Sequence, residues 1–214
     1  MVLPLQEPLI GHAASSASPL PFKIPSSIEL IAHPGTDIWR KPPHRDIFNG
    51  PFLYRSLPLS TFRRARVTVR GDWNTLYDQG GLCLDLPQGT QDKGKRKWIK
   101  TGVEAYGGRP NIGTVACDRW ADWSLVPMTD PASELTVEME REVVDGKPTS
   151  SLWVRGREGE QDQSVAVREV TWAFEDLCEG DCWVGVYAAR PTKDGDDAEK
   201  VLKVQFKDLV IETF

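Results

Sequence analysis

Apolar and polar residues alternate with period two through most of this chain, over short runs separated by turn residues. The runs fall at 51–57, 65–71, 81–86, 97–105, 111–117, 122–127, 134–143, 151–157, 164–174, 182–189 and 201–213. Period two is the signature of strands that show one face to a core and the other outward. Val143-Val-Asp-Gly-Lys147 carries the Asp-Gly pair of a tight hairpin, and the Lys- and Asp-rich stretch 191–200 reads as a loop. No apolar stripe of helical period has useful length, and 173–178 accounts for at most one helical turn. Many short strands at this spacing argue for an antiparallel sandwich or barrel, and an all-β, two-sheet antiparallel β-sandwich is the expectation. Residues 1–25, rich in Pro, Ser and Ala and without periodicity, are expected to form an irregular arm, leaving 26–214 as a single domain.

One strand stands apart. In Trp98-Ile-Lys-Thr-Gly-Val-Glu104 the residues Trp98, Lys100, Gly102 and Glu104 share a face, and Ile99, Thr101 and Val103 share the other. The second face suits a sheet interior. The first sets an indole beside an ammonium and a carboxylate, with a glycine opening space between them. Two readings stay open: the floor of a cleft, or an edge strand whose exposed Lys–Glu pair contributes roughly 0–1 kcal/mol. In 182–189 the same arrangement recurs, with Trp183, Gly185 and Tyr187 opposite Val184 and Val186. In 164–174, Arg168 and Trp172 share a side. If these strands neighbour one another, their outward faces make an aromatic-floored groove. Trp98, Lys100, Glu104, Arg168 and Tyr187 are then expected to line one pocket, with Trp123 and Trp172 beside them. Aromatic planes among hydrogen-bonding groups suit a sugar ring, with its apolar C–H face and rim of hydroxyls. For any single Trp, core packing is the competing explanation.

Composition narrows the classes. Eight Trp in 214 residues is a high count for so costly a side chain to expose. A formal charge of −5 argues against nucleic acid, and the basic clusters at Arg63–Arg66 and Lys93–Lys97 read as solvated turns beside strands. No stretch approaches the roughly 20 apolar residues of a membrane span. The opening Met1-Val-Leu-Pro lacks a basic start and an unbroken apolar run, so a cytoplasmic, reducing compartment is expected. Cys83 and Cys117 lie in strand-like runs and read as core. Cys178 and Cys182 flank a turn, with a short disulfide or a metal ligand pair as the alternatives. The three histidines all fall by position 44, and neither a metal nor a cofactor is expected.

Nucleophile elbows, zincin helices and phosphate loops are absent from the sequence. Glu104 is one acid of a conceivable carboxylate pair, with Asp78, Asp122 and Glu169 as candidate partners. Glu138-Met-Glu140-Arg-Glu142 has the right period but leads into the Asp-Gly hairpin, and reads as a solvated face.

Several ordered blocks together resemble a known family: Asp37-Ile-Trp-Arg40, Asn49-Gly-Pro51, Asp78-Gln-Gly-Gly-Leu82, Lys97-Trp-Ile-Lys-Thr-Gly-Val-Glu104, Ala121-Asp-Trp-Ser124, Arg168-Glu-Val-Thr-Trp172 and Val184-Gly-Val-Tyr-Ala-Ala-Arg-Pro191. The order and spacing are similar to the regulation of enolase protein 1 family, a domain of unknown function in the concanavalin A-like lectin/glucanase superfamily. The resemblance runs from about residue 30 to the C-terminus. It implies a jelly-roll sandwich with a concave face and a cytoplasmic protein touching carbohydrate metabolism, and it assigns no catalytic residues. Members often carry a Met and then an Arg after the Gly-Leu of the Asp78 block, where this chain has Cys83 and Asp85.

Two functional classes follow. One is a non-catalytic binding or regulatory module for a sugar-like small molecule or for a glycolytic enzyme such as enolase. The other is an enzyme acting on a small metabolite, either a sugar derivative or a hydrophobic intermediate of specialised metabolism, with Glu104 and Lys100 as acid–base groups. Ligand identity and oligomeric state are not legible.

Overall fold

The computed structural model describes residues 17–20, 24–87, 96–159, 163–175, 180–193 and 200–214. Its first strands are β1 (Ala17–Pro19), β2 (Ser27–Ala32), β3 (Ile38–Lys41), β4 (Arg45–Phe48) and β5 (Phe52–Pro58). After one 3-10 turn at Leu59–Thr61 come β6 (Phe62–Gly71), β7 (Gln79–Asp85), β8 (Trp98–Tyr106), β9 (Arg109–Cys117) and β10 (Ala121–Pro127). The chain ends with β11 (Leu135–Val144), β12 (Lys147–Glu158), β13 (Val165–Val170), β14 (Asp181–Ala189) and β15 (Leu202–Thr213).

Two sheets face each other. A seven-stranded sheet has the order β1-β5-β14-β7-β8-β9-β10, and a six-stranded sheet has the order β13-β12-β11-β6-β15-β2. Neighbours are antiparallel except β1 and β5, where Ala17–Pro19 of the expected arm runs parallel to Phe52–Tyr54. The alternation read from sequence builds the core between the sheets. Val67, Val69, Val137, Met139, Val154 and Phe206 face Leu82, Leu84, Ile99, Val103, Val184 and Val186, all buried. The inward polar residues are satisfied: Thr101 donates its hydroxyl to the Gly113 carbonyl at 3.0 Å and lies 3.1 Å from the Thr114 hydroxyl. At Asp145-Gly146 both residues take positive φ, 51° and 75°, as a tight hairpin of this twist requires.

The strands β3 and β4 pair only with each other and lie over the outer face of the seven-stranded sheet. Ile38 is fully buried there with Phe52, Cys83, Trp98, Val115, Cys117 and Tyr187. A second, smaller core therefore sits where an uncovered sheet would meet water. Arg40, also buried, fastens the hairpin by donating to the Arg96 carbonyl at 2.7 Å and pairing with Asp46 at 2.9 Å.

Candidate functional site

The register of the seven-stranded sheet determines which outward residues meet. Glu104 lies opposite Gln79 and Asn111, Gly102 opposite Gly81 and Gly113, and Lys100 opposite Cys83 and Val115. Trp123 on β10 stands opposite Val115. Between the Glu104 and Lys100 rows runs a row without side chains, Gly81-Gly102-Gly113. A methyl group on Gly113 would come within 2.9 Å of Glu104 Oε2, so this glycine makes the space into which the carboxylate leans.

Lys100 is 2% exposed. Its ammonium donates to the Gln79 side-chain oxygen at 2.5 Å and to the Ile38 carbonyl at 2.7 Å. Gln79 in turn donates its amide N–H to the Tyr77 carbonyl at 3.2 Å, which fixes the amide orientation. Tyr77 has φ of 67°, a conformation few bulky residues adopt, and its N–H bonds the Ala105 carbonyl at 2.8 Å. Below this turn, Arg190 grips Asp78 with two bonds of 2.8 and 2.7 Å, both side chains buried. Asp78 therefore braces the turn and does not reach the groove.

The hairpin supplies the opposite wall. Asp37, Trp39 and Lys41 recur at every second position, and Arg45 is the cross-strand partner of Lys41, so these four share one side. With Tyr77, Gln79, Lys100, Glu104, Trp123 and Pro191 they enclose a cavity of about 180 Å³. Asp37 Oδ1 accepts the Ile38 N–H at 2.8 Å, and Oδ2 lies 3.4 Å from Arg45 Nη2. Burial pushes the Asp37 carboxyl above its ordinary range, against the pull of Lys100 and Arg45. Glu104 Oε2 accepts the Trp123 indole N–H at 2.9 Å. Burial raises this carboxyl too; Lys100 and the Trp123 bond draw it down, and Asp37 pushes it up. Around the mouth, Trp123 meets Trp39 edge to face at 6.2 Å, Tyr77 at 6.2 Å and the exposed Tyr106 at 5.3 Å. The arrangement offers carboxylate acceptors, an ammonium donor and aromatic faces in one small space.

Lys100, Glu104 and Trp123 thus come together at this cavity. Trp98 and Tyr187, both expected in the same lining, lie one layer beneath it in the hairpin-covered core. Each ring centroid is 5.7 Å from the Lys100 ammonium, so they back its stem. Burial pushes the Tyr187 hydroxyl well above its usual range. Arg168 lies elsewhere. From β13 of the six-stranded sheet it ties the two sheet edges, with Nη2 2.5 Å from Asp122 Oδ2 and Nη1 donating to Ser124 Oγ at 3.2 Å. Trp172 packs against the core between the sheets. Alternation identifies a strand's two faces but not the sheet that takes the strand. Glu169 accepts the Ser151 hydroxyl at 2.8 Å, so of the acids considered beside Glu104 none faces it; Asp37 does. Asp37 and Trp39 were legible as a block of the resemblance, though not as a wall. Cys83 belongs to the buried outer core, and Asp85 pairs with Arg96. Cys182 is a free thiol donating to the Leu57 carbonyl at 3.4 Å, while Cys178 lies outside the described residues. Among the described residues no group of three His, Cys, Asp or Glu could hold a metal, and no helix is long and apolar enough to cross a membrane.

Comparison with known proteins places this geometry. A family model described as "Protein of unknown function (DUF1349)" matches residues 18–213. An uncharacterized protein of Emericella nidulans, AN7484, is 46% identical over 189 residues, 88% of each chain. Regulation of enolase protein 1 of Saccharomyces cerevisiae is 28% identical over 106 residues, 48% of each chain. Among solved structures, a functionally unknown protein from Saccharomyces cerevisiae superposes with a TM-score of 0.68 at 23% identity, covering 90% of this chain and 91% of that one. A GH43 protein from Bacillus licheniformis gives 0.50 at 13% identity, over 72% of this chain and 28% of that one. These likenesses carry the fold, a concanavalin A-like sandwich, as the sequence resemblance implied.

Proposed function

The chain belongs to the family described as protein of unknown function DUF1349, whose description assigns no activity, and from the site itself we propose that it binds a small sugar-like molecule in the cavity beneath the β3–β4 hairpin. One observation carries this reading: Trp39, Tyr77 and Trp123 surround the buried Asp37–Lys100–Glu104 group in a space of about 180 Å³. A sugar ring presents apolar C–H faces to aromatic planes and hydroxyls to charged acceptors and donors. A space of this size suits one ring better than a long chain. The name of the yeast relative supports a regulatory role in carbohydrate metabolism, with an enolase-type enzyme as the partner that ligand binding would modulate.

Thermal denaturation against a panel of mono- and disaccharides tests this. A ligand at a hundred times its Kd stabilises by about 2.7 kcal/mol, a rise of roughly 5–11 °C for a domain of this size. The rise should vanish in Trp39→Ala and Glu104→Gln. A panel that shifts nothing, or shifts that survive both substitutions, would sink the proposal.

The raised carboxyls of Asp37 and Glu104 favour a second reading, acid–base chemistry on the same ligand. Glu104→Gln separates the two. A catalyst retains ligand binding and loses turnover, whereas a binding module loses affinity and shows no turnover in either form.

A further inference from the structure

The hairpin wall carries a like-charged pair that the fold does not require. Lys41 and Arg45 are directly opposed in the β3–β4 register, on the side that lines the cavity. Opposed like charges destabilise a two-stranded ribbon. Both side chains are exposed, so neither serves as core. Of the two, only Arg45 has a counter-charge, Asp37 at 3.4 Å, and among the described residues no hydrogen bond or ion pair engages the Lys41 ammonium. The inner end of the cavity has the opposite balance, with Asp37 and Glu104 around the single ammonium of Lys100, all three buried.

Building on the proposed sugar site, we infer that its ligand carries an anionic group, a phosphate or a carboxylate, held at the rim by Lys41 and Arg45 while its hydroxyl-bearing ring lies inward between Trp39, Tyr77 and Trp123. The two ends of the cavity fix the orientation. An anion placed inward would meet two desolvated carboxylates, whereas hydroxyls there find acceptors in Asp37 and Glu104 and a donor in Lys100. At the rim the anion meets the Lys41 ammonium, which has no counter-charge among the described residues, beside Arg45, whose guanidinium reaches Asp37 from one side at 3.4 Å. Arg45 offers a planar fork and Lys41 a mobile point charge, a combination suited to phosphate or carboxylate oxygens.

Titration calorimetry with aldohexoses, their 6-phosphates, the corresponding uronates and inorganic phosphate alone tests this. At low salt the anionic form should bind about tenfold tighter than its neutral parent, and the preference should disappear in K41Q and in the K41Q/R45Q double variant. The phosphate and uronate arms show which anion is taken. Ligand-free K41Q should melt slightly above the wild type, because the substitution removes a repulsion; a merely structural Lys41 would lower the melting temperature. Equal affinity for neutral and anionic sugars overturns the inference and leaves the sugar site standing. So does an anion preference that K41Q and the double variant retain. Inorganic phosphate binding as tightly as the sugar phosphates overturns the inward ring, and a panel with no binder overturns both proposals.

Discussion

Replacing Asp78 by Asn removes one charge from an ion pair that water barely reaches. The side chains of Arg190 and Asp78 are 5% and 0% exposed and share bonds of 2.8 and 2.7 Å. Asparagine fills nearly the same volume, keeps one acceptor, and leaves the guanidinium buried without its counter-charge. Breaking a buried pair from one side costs about 3–5 kcal/mol. For a domain of this length each kcal/mol lowers the melting temperature by roughly 2–4 °C, so Asp78→Asn should melt about 6–20 °C early. Urea unfolding followed by tryptophan fluorescence would give the free energy directly, with the midpoint falling at unchanged slope. Asp122→Asn is the control. Its pair with Arg168 is just as short at 2.5 Å, but the Asp122 side chain is 74% exposed, and exposed pairs contribute about 0–1 kcal/mol. Equal losses from the two substitutions, or a loss below about 1 kcal/mol for Asp78→Asn, would refute the reasoning that burial sets the cost.

Gly113→Ala should push the Glu104 carboxylate off the Trp123 N–H, since the new methyl falls 2.9 Å from Oε2; a stability loss of about 1–3 kcal/mol together with weaker ligand binding is expected by denaturation and calorimetry. Asp85 gives a pH dependence. Burial holds its carboxyl up from 3.8 to about 7, with Arg96 pulling it down, so the folded protein keeps a proton the unfolded chain has released. Stability therefore falls as pH rises between those two values, by at most about 4 kcal/mol, and Asp85→Asn should flatten the slope measured by urea unfolding across pH 4–8. A slope of opposite sign would refute the assignment.

The strands from Phe52 onward were legible because their inward faces are apolar and β-branched while their outward faces are not. Hairpins such as Asp145-Gly146 marked the turns between them. β3 and β4 escaped because Ile38-Trp-Arg-Lys41 is four residues long and mixes large apolar and charged side chains, a pattern that fits a loop equally well. The hairpin decides what the outer face of the sheet lines. Without a cover, Trp98 and Tyr187 read as groove lining; with the hairpin in place they become core, and the cavity shifts to the gap between hairpin and sheet. Lys100 and Glu104 were found because a charged pair on a strand with an apolar back has few places to go. Arg168 and Trp172 were grouped with them because period two does not say which sheet a strand joins; β13 pairs with β12 and so belongs to the six-stranded sheet.

The position of β14 in its sheet sets when the site comes into being. Its neighbours β5 and β7 leave the ribosome long before it does, yet both pair with it and not with each other. The meander β7-β8-β9-β10 closes by local hairpins, whereas β5 joins only once Asp181 meets Pro58. Arg190, which braces the turn bearing Tyr77, follows immediately after β14. Loop closure over such a separation is slow. During synthesis the chain passes through a stage in which Trp98, Lys100 and the β3–β4 hairpin exist without the strand that unites them.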